Sequence, residues 1–265
     1  MFRSIEFSVA PNGVATLALN RPQASNAFDA NTIAEMLSAI AQAESSPAVR
    51  VLLIKGNGKH FSAGADLNWM RSMADMTEAE NIQDAGQLAK LMKAIHDFPK
   101  PTIAQVQGSA FGGATGLIAC CDIAIASDDS RYCFSEVKLG LIPAVISPYV
   151  IRAIGARHAS KLFLTAEVFN AQLAQDIGLV HAISTADELQ LCVANTVNQL
   201  LANAPVALGK AKALIHHVDS GPLDDNMVRH TVEAIANIRI SEEGQEGLRA
   251  FLEKRTPAWM RTCNE

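Results

Sequence analysis

A chain of 265 residues, 49% hydrophobic and 18% charged, has ample apolar material for one large domain or two small ones. Its net charge of -5, with no basic block, argues against nucleic acid and other polyanionic partners. Two Trp, two Tyr and ten Phe supply no base-stacking surface, and no run of eighteen apolar residues supplies a membrane span.

Five cysteines, Cys120, Cys121, Cys133, Cys192 and Cys263, are odd in number and carry neither disulfide nor zinc spacing. They read as buried small hydrophobes in a reducing compartment, and no metal site is indicated. The opening MFRSIEFSV has no apolar signal core, so a cytoplasmic location is the default expectation.

In chain order, Ile5–Val9 and Val14–Leu19 flank the Pro11-Asn12-Gly13 turn as a hairpin. A loop with Pro22 and Asn26 precedes a predicted helix over 31–43, where Ile33, Met36, Leu37 and Ile40 share one face. The run VRVLLIK, bounded by Gly56, suits a strand buried on both sides. After HFSAGAD a short helix starts near Asp66. A longer one is predicted over 76–98, stopped by Pro99-Lys100-Pro101. Strands at 102–107 and 123–126 bracket a glycine-rich turn and a small apolar run. Helices are predicted at 144–154 and 157–164 on either side of Gly155, then at 170–177, with 179–183 following. Beyond residue 186 every segment reads as helix: 186–202, 205–217, 223–239 and 241–254. This alternation predicts an α/β core, with a boundary near residue 200 before an all-helical section.

The stretch from Gly108 to Pro148 concentrates the chemistry. Gly112 and Gly113 let a ligand approach the backbone, and a helix starting there leaves N–H groups without internal partners. Such amides suit an oxygen that gains negative charge. Glu136 lies in the largely apolar CFSEVKLGL, where a carboxylate can have a raised pKa and move protons near neutrality. Taken alone, a Gly-Gly pair before an apolar run more often serves helix packing than an anion site, and an isolated Glu is usually a surface residue. His60, His158 and His181 are weaker catalytic candidates, and His216-His217 has no metal spacing. Lys138 can meet a substrate carboxylate if its segment is extended, and Asp122 reads as a cap or turn residue.

Six collinear segments resemble the crotonase superfamily, the enoyl-CoA hydratase/isomerase family. They are LNRPQASNAF (19–28), FSAGADL (61–67), QGSAFGGATGLIACCDIAIAS (107–127), FSEVKLGLIP (134–143), LTAEVFNAQLAQDIGLVHAI (164–183) and EEGQEGLRAFLEKRTPAW (242–259). The resemblance implies an α/β fold of stacked strand-strand-helix turns over 1–200, carrying the thioester site. A helical trimerisation section over 201–265 would follow, with homotrimers or hexamers as the assembly. It implies an acyl-CoA thioester substrate, coenzyme A entering as part of the substrate with no separate cofactor. The thioester enolate would be held by the amides of Ala65 and Gly113, with Glu136 as acid/base. Ala63, Asp66 and Leu67, with Ala24 and Asn26, match the loops that line a bound CoA, and Gly112 lies beside the acyl group. Phe251 and Lys254 match a last helix that reaches CoA, and Lys254 with Arg255 suits a 3′-phosphate.

One position departs from the family pattern. Hydratases of the family commonly carry a first glutamate where this chain has Gly116. Either a second carboxylate on the substrate helps place water there, or Gly116 makes room for a bulky acyl chain. The segment GLIPAVISPYV, with CCDIAIA and EGLRAFLEKRTPAW, looks like the bacterial group that hydrates 3-methylglutaconyl-CoA and branched terpenoid glutaconyl-CoA esters, in leucine and acyclic terpene breakdown. The expected activity is therefore a hydro-lyase adding water to such an enoyl-CoA. An isomerase working through Glu136 alone and an inactive acyl-CoA-binding relative are the alternatives.

Overall fold

The computed structural model describes residues 2–261, so Cys263, expected to be buried, lies outside the described residues. The chain opens on an antiparallel hairpin of β1 (Ile5–Val9) and β2 (Val14–Leu19), then runs through α1 (Ala30–Ser45), β3 (Val51–Gly56), α2 (Leu67–Met73) and α3 (Glu78–His96). Next come β4 (Thr102–Val106), β5 (Ser109–Phe111), α4 (Gly113–Cys120), β6 (Ile123–Ser127) and β7 (Arg131–Cys133). A 3-10 turn at Glu136–Leu139 precedes α5 (Ser147–Thr165), β8 (Phe169–Asn170), α6 (Ala171–Asp176) and β9 (Ala182–Ser184). The rest is helical: α7 (Leu189–Ala202), α8 (Pro205–Ser220), α9 (Asp225–Ile240), α10 (Glu242–Leu252) and α11 (Ala258–Arg261).

Two sheets result. The larger has the order β1-β2-β3-β4-β6-β9, parallel from β2 onward, and the smaller has the order β5-β7-β8. Each turn of the spiral adds one strand to the large sheet and passes near the small one before a helix returns. VRVLLIK alternates sides accordingly. Leu52 and Ile54 face the main core, while Val51, Ile103 and Ile125 face α7 through Leu189, Val193, Val197 and Leu201. Both faces are covered, which is why the strand reads as an unbroken apolar run. Full burial of each such side chain is worth roughly 1.5–3 kcal/mol.

Local chemistry sets the ends of these helices. Asp29 accepts from the Thr32 N–H to cap α1, and Thr77 forms a reciprocal capping box with Glu80 at α3. That cap moves the start of α3 two residues beyond the predicted 76. Gly155 (φ 74°, ψ 154°) breaks α5 internally, as its sequence position suggests. The predicted helix at 144 begins instead at Ser147. Residues 141–146 are a wall rather than a helix, turned by the Ala144 N–H donating to the Ile142 carbonyl. The strands β5 and β7 were not predicted, because three residues each give no readable period. Asp122 anchors the start of β4: its Oδ2 accepts from the Thr102 N–H and hydroxyl and from Lys212 Nζ, all at 2.8–2.9 Å.

Among the described residues, no helix is long and apolar enough to cross a membrane.

Candidate active site

A cavity of about 450 Å3 lies between α2 and α3 on one side and the 141–146 wall on the other. Leu67, Trp69, Met70 and Met73 come from α2, Leu88 from α3, and Ile142, Val145 and Ile146 from the wall. Ala65, Gly112, Gly113 and Glu136 line the same space. The fold therefore brings the three residues expected to be catalytic into one cavity.

The two amides are left free by specific pairing. Phe28 and Ala65 form an isolated parallel bridge, in which the Phe28 N–H donates to the Gly64 carbonyl and the Asp66 N–H to the Phe28 carbonyl. That pattern consumes the groups on either side of Ala65 and leaves its own N–H outside the ladder. Gly113 is the first residue of α4, whose opening N–H groups have no intrahelical acceptor. Neither N–H donates to a protein group among the described residues. Gly112 (φ 54°, ψ -129°) makes the sharp reversal into α4 that a side chain would resist. Gly113 is tight for another reason: a Cβ there would stand 2.9 Å from Phe28 Cζ.

Glu136 opens the 3-10 turn, with Oε1 3.4 Å from where a Cβ on residue 112 would stand. Its Oε2 is buried without a hydrogen-bond partner. Burial pushes the carboxyl above its ordinary 4.5, only partly opposed by its own backbone N–H. A carboxylate near the pKa of its task can accept and return one proton per cycle.

The remaining expected site residues divide. Ala63 and Leu67 line the cavity; Ala24, Asn26, Asp66, Gly116, Phe251 and Lys254 do not. Asn26 ties loops together, donating to the Asn57 and His60 carbonyls and accepting from the Arg21 N–H. Ala24 shares that loop, its carbonyl accepting from the Ala27 N–H. Asp66 caps α2 and pairs with Arg21 at 2.8 Å; the Asn68 N–H first, then the Arg21 guanidinium, hold its carboxyl below the usual range. These side chains shape the loop whose backbone faces the cavity. The expectation that Gly116 opens space for an acyl chain is corrected: Ile146 fills that space, its Cγ2 2.2 Å from an added Cβ. Phe251 and Lys254 are exposed at the end of α10. The pairing of Arg255 with a phosphate is also corrected, because its guanidinium is bidentate to Glu246 at 2.7 and 2.8 Å and bonds Glu253.

Among the cavity residues that sequence reasoning left unassigned, two carry polar groups. Trp69 lines the cavity from α2, its indole N–H donated to Asp84 and its ring 6.5 Å from the Phe28 ring. Ser135, beside Glu136, carries a cavity-lining hydroxyl, and a polar residue in FSEV was the available signal. Two histidines hold the backbone: Nδ1 of the half-buried His60 accepts from the Ser109 N–H, and Nδ1 of the exposed His181 from the Ala124 N–H. His96, Asp97 and His216 place ligand atoms within 4.8 Å of one another. The two imidazoles stack nearly flat at 4.1 Å, so their in-plane lone pairs do not converge, and Lys93 engages Asp97.

Two unpartnered amides and one carboxylate around an apolar cavity define a site for a carbonyl compound passing through an enolate. Comparison with known proteins fixes the class more closely. The family model for enoyl-CoA hydratase/isomerase matches residues 9–262. A crotonyl-CoA hydratase of Syntrophomonas wolfei is 34% identical over 91% of this chain and 92% of its own length. The 2,3-dehydroadipyl-CoA hydratase of Escherichia coli K12 is 31% identical over 92% and 94%. The crystal structure of an enoyl-CoA hydratase from Shewanella pealeana superposes with a TM-score of 0.95 at 49% identity, covering 98% of this chain and 97% of that one. The chain belongs to the enoyl-CoA hydratase/isomerase family and has the crotonase fold.

Proposed function

We propose that this protein is an enoyl-CoA hydratase, a hydro-lyase that adds water across the 2,3 double bond of an acyl-CoA thioester. The observation that carries this reading is Glu136, its Oε2 buried and unpartnered, lining the cavity that also holds the free amides of Ala65 and Gly113. The thioester oxygen sits between those two N–H groups and gains charge as the enolate forms. Removing one such donor typically costs about 10²–10³ in rate. Glu136 takes a proton from water and returns one to C2, so a single carboxylate serves both halves of the addition. Names of relatives in the family support hydration.

For the acyl group we favour 3-methylglutaconyl-CoA, giving 3-hydroxy-3-methylglutaryl-CoA, or a branched terpenoid glutaconyl ester. The support is the sequence of residues 140–150, GLIPAVISPYV, with CCDIAIA and the C-terminal EGLRAFLEKRTPAW. Glu136 is the ionisable residue of the cavity lining, so the second carboxylate of such a substrate belongs at the mouth. Lys138 is exposed, on the turn between Glu136 and the cavity-lining Leu139. That turn is not extended, so Lys138 reaches outward rather than inward.

We read residues 1–200 as the site-bearing core and 201–265 as the assembly section of a trimer or hexamer. Val228, Val232 and Ile235 on α9, with Leu248, Phe251 and Leu252 on α10, leave apolar faces exposed that suit a second copy. Phe251 and Lys254 would then meet a CoA bound to a neighbouring subunit.

Initial rates with crotonyl-CoA, 3-methylglutaconyl-CoA and a non-conjugated 3-enoyl-CoA test the reading. Hydration of the conjugated esters, with kcat/KM about tenfold or more higher for the glutaconyl ester, is expected. A bond shift in the third alone would establish isomerisation instead, and no turnover of any would leave a binding protein.

A further inference from the structure

We propose that the Ser135 hydroxyl holds the attacking water beside Glu136 and is a second catalytic residue of this site. The inference rests on the hydratase reading above. A water that attacks C3 must present a lone pair, which requires both of its O–H bonds to be held elsewhere. Glu136 accepts one, and a lone carboxylate leaves the other free to turn. Three side chains of the cavity lining carry a nitrogen or an oxygen: Trp69, Ser135 and Glu136. The Trp69 indole is a donor only and is already given to Asp84. Ser135 Oγ has two lone pairs and no hydrogen-bond partner among the described residues.

Its placement fits the task. The point where a Cβ on residue 112 would stand lies 3.4 Å from Glu136 Oε1 and 3.6 Å from Ser135 Oγ. Both oxygens therefore face the same side of Gly112, the side on which glycine carries no side chain, next to the free Gly113 amide. A water in van der Waals contact with that bare face of Gly112, outside the Cα itself, donates one proton to each.

The atoms balance as follows. The water oxygen bonds to C3 while one O–H bond breaks and that proton passes to Glu136. The C2–C3 π pair moves onto the thioester as the enolate, held by the Ala65 and Gly113 N–H groups. Glu136 then gives its proton to C2, and the carboxylate is restored. Ser135 keeps its own proton throughout, which is why Thr can replace it and Ala cannot.

Two reactions of the same site separate this role from a structural one. Hydration of crotonyl-CoA needs the water, Glu136 and the amides. Exchange of the C2 protons of butyryl-CoA in deuterated water needs Glu136 and the amides but no attacking water. Ser135→Ala is expected to lower kcat for hydration about tenfold while leaving exchange within about twofold, and Ser135→Thr to retain hydration. Equal loss of both reactions, loss of neither, or failure of Ser135→Thr would overturn the assignment. A native protein that exchanges butyryl-CoA protons yet hydrates nothing would instead sink the hydratase reading, and the Ser135 role with it.

Discussion

Glu136→Gln lowers kcat for hydration by about 10²–10⁴-fold, with KM little changed and the protein more thermostable. Glutamine keeps the shape and the carbonyl oxygen but cannot take the proton from water. The gain in stability has the same cause as the activity. Burial raises the Glu136 carboxyl above 4.5, so the folded protein holds that proton to a higher pH than the unfolded chain does. Stability is therefore fully present below 4.5 and is lost as pH rises through the raised folded value. The amide has no charge to bury, so its melting temperature should exceed the native one at pH 7.5, and the difference should shrink toward pH 4.5. In the native enzyme the acid limb of kcat/KM falls above 4.5 for the same reason. A variant of unchanged turnover, or one that melts lower at pH 7.5, would contradict this account.

Gly116→Glu, which restores the family's usual first carboxylate, is expected to destabilise the protein and to leave hydration no faster. An added Cβ would lie 2.2 Å from Ile146 Cγ2 and 2.7 Å from Ile146 Cβ, with Met92 Cε at 3.3 Å. Overpacking of this kind costs about 1–3 kcal/mol, and an unpaired carboxyl in the same apolar surroundings adds to it. The helix-propensity gain over glycine, up to about 1 kcal/mol, does not offset both. At about 2–4 °C per kcal/mol the melting temperature should fall by roughly 6 °C or more. Adding Ile146→Ala should recover part of that loss by opening the space. A single variant that melts as the native protein and turns over faster would mean that the site lacks a base, and the one-carboxylate mechanism would fail.

The pairing of Gly116 with Ile146 also shows where sequence reading stops. Thirty positions separate them, and nothing in either segment says that one fills the space beside the other. What was legible had a local cause: the period of α1, the Pro stop after α3, the break at Gly155 and the two-sided burial of VRVLLIK. The glycines before α4 offered a backbone site beside the packing reading, because a helix start leaves amides without internal partners. The amide of Ala65 is a different case. It is free because of a bridge to Phe28, a long-range pairing that only the fold displays. The ion pair of Asp66 with Arg21, the strut at Asn26 and the clasp of Arg255 on Glu246 likewise depend on partners brought in by tertiary structure.

The most direct test of hydration through Glu136 uses heavy-oxygen water, with crotonyl-CoA and 3-methylglutaconyl-CoA as substrates and Glu136→Gln in parallel. Mass spectrometry should find product heavier by one labelled water with the native enzyme, and almost none with the variant. Product without label from both esters, or label undiminished in Glu136→Gln, would contradict the account.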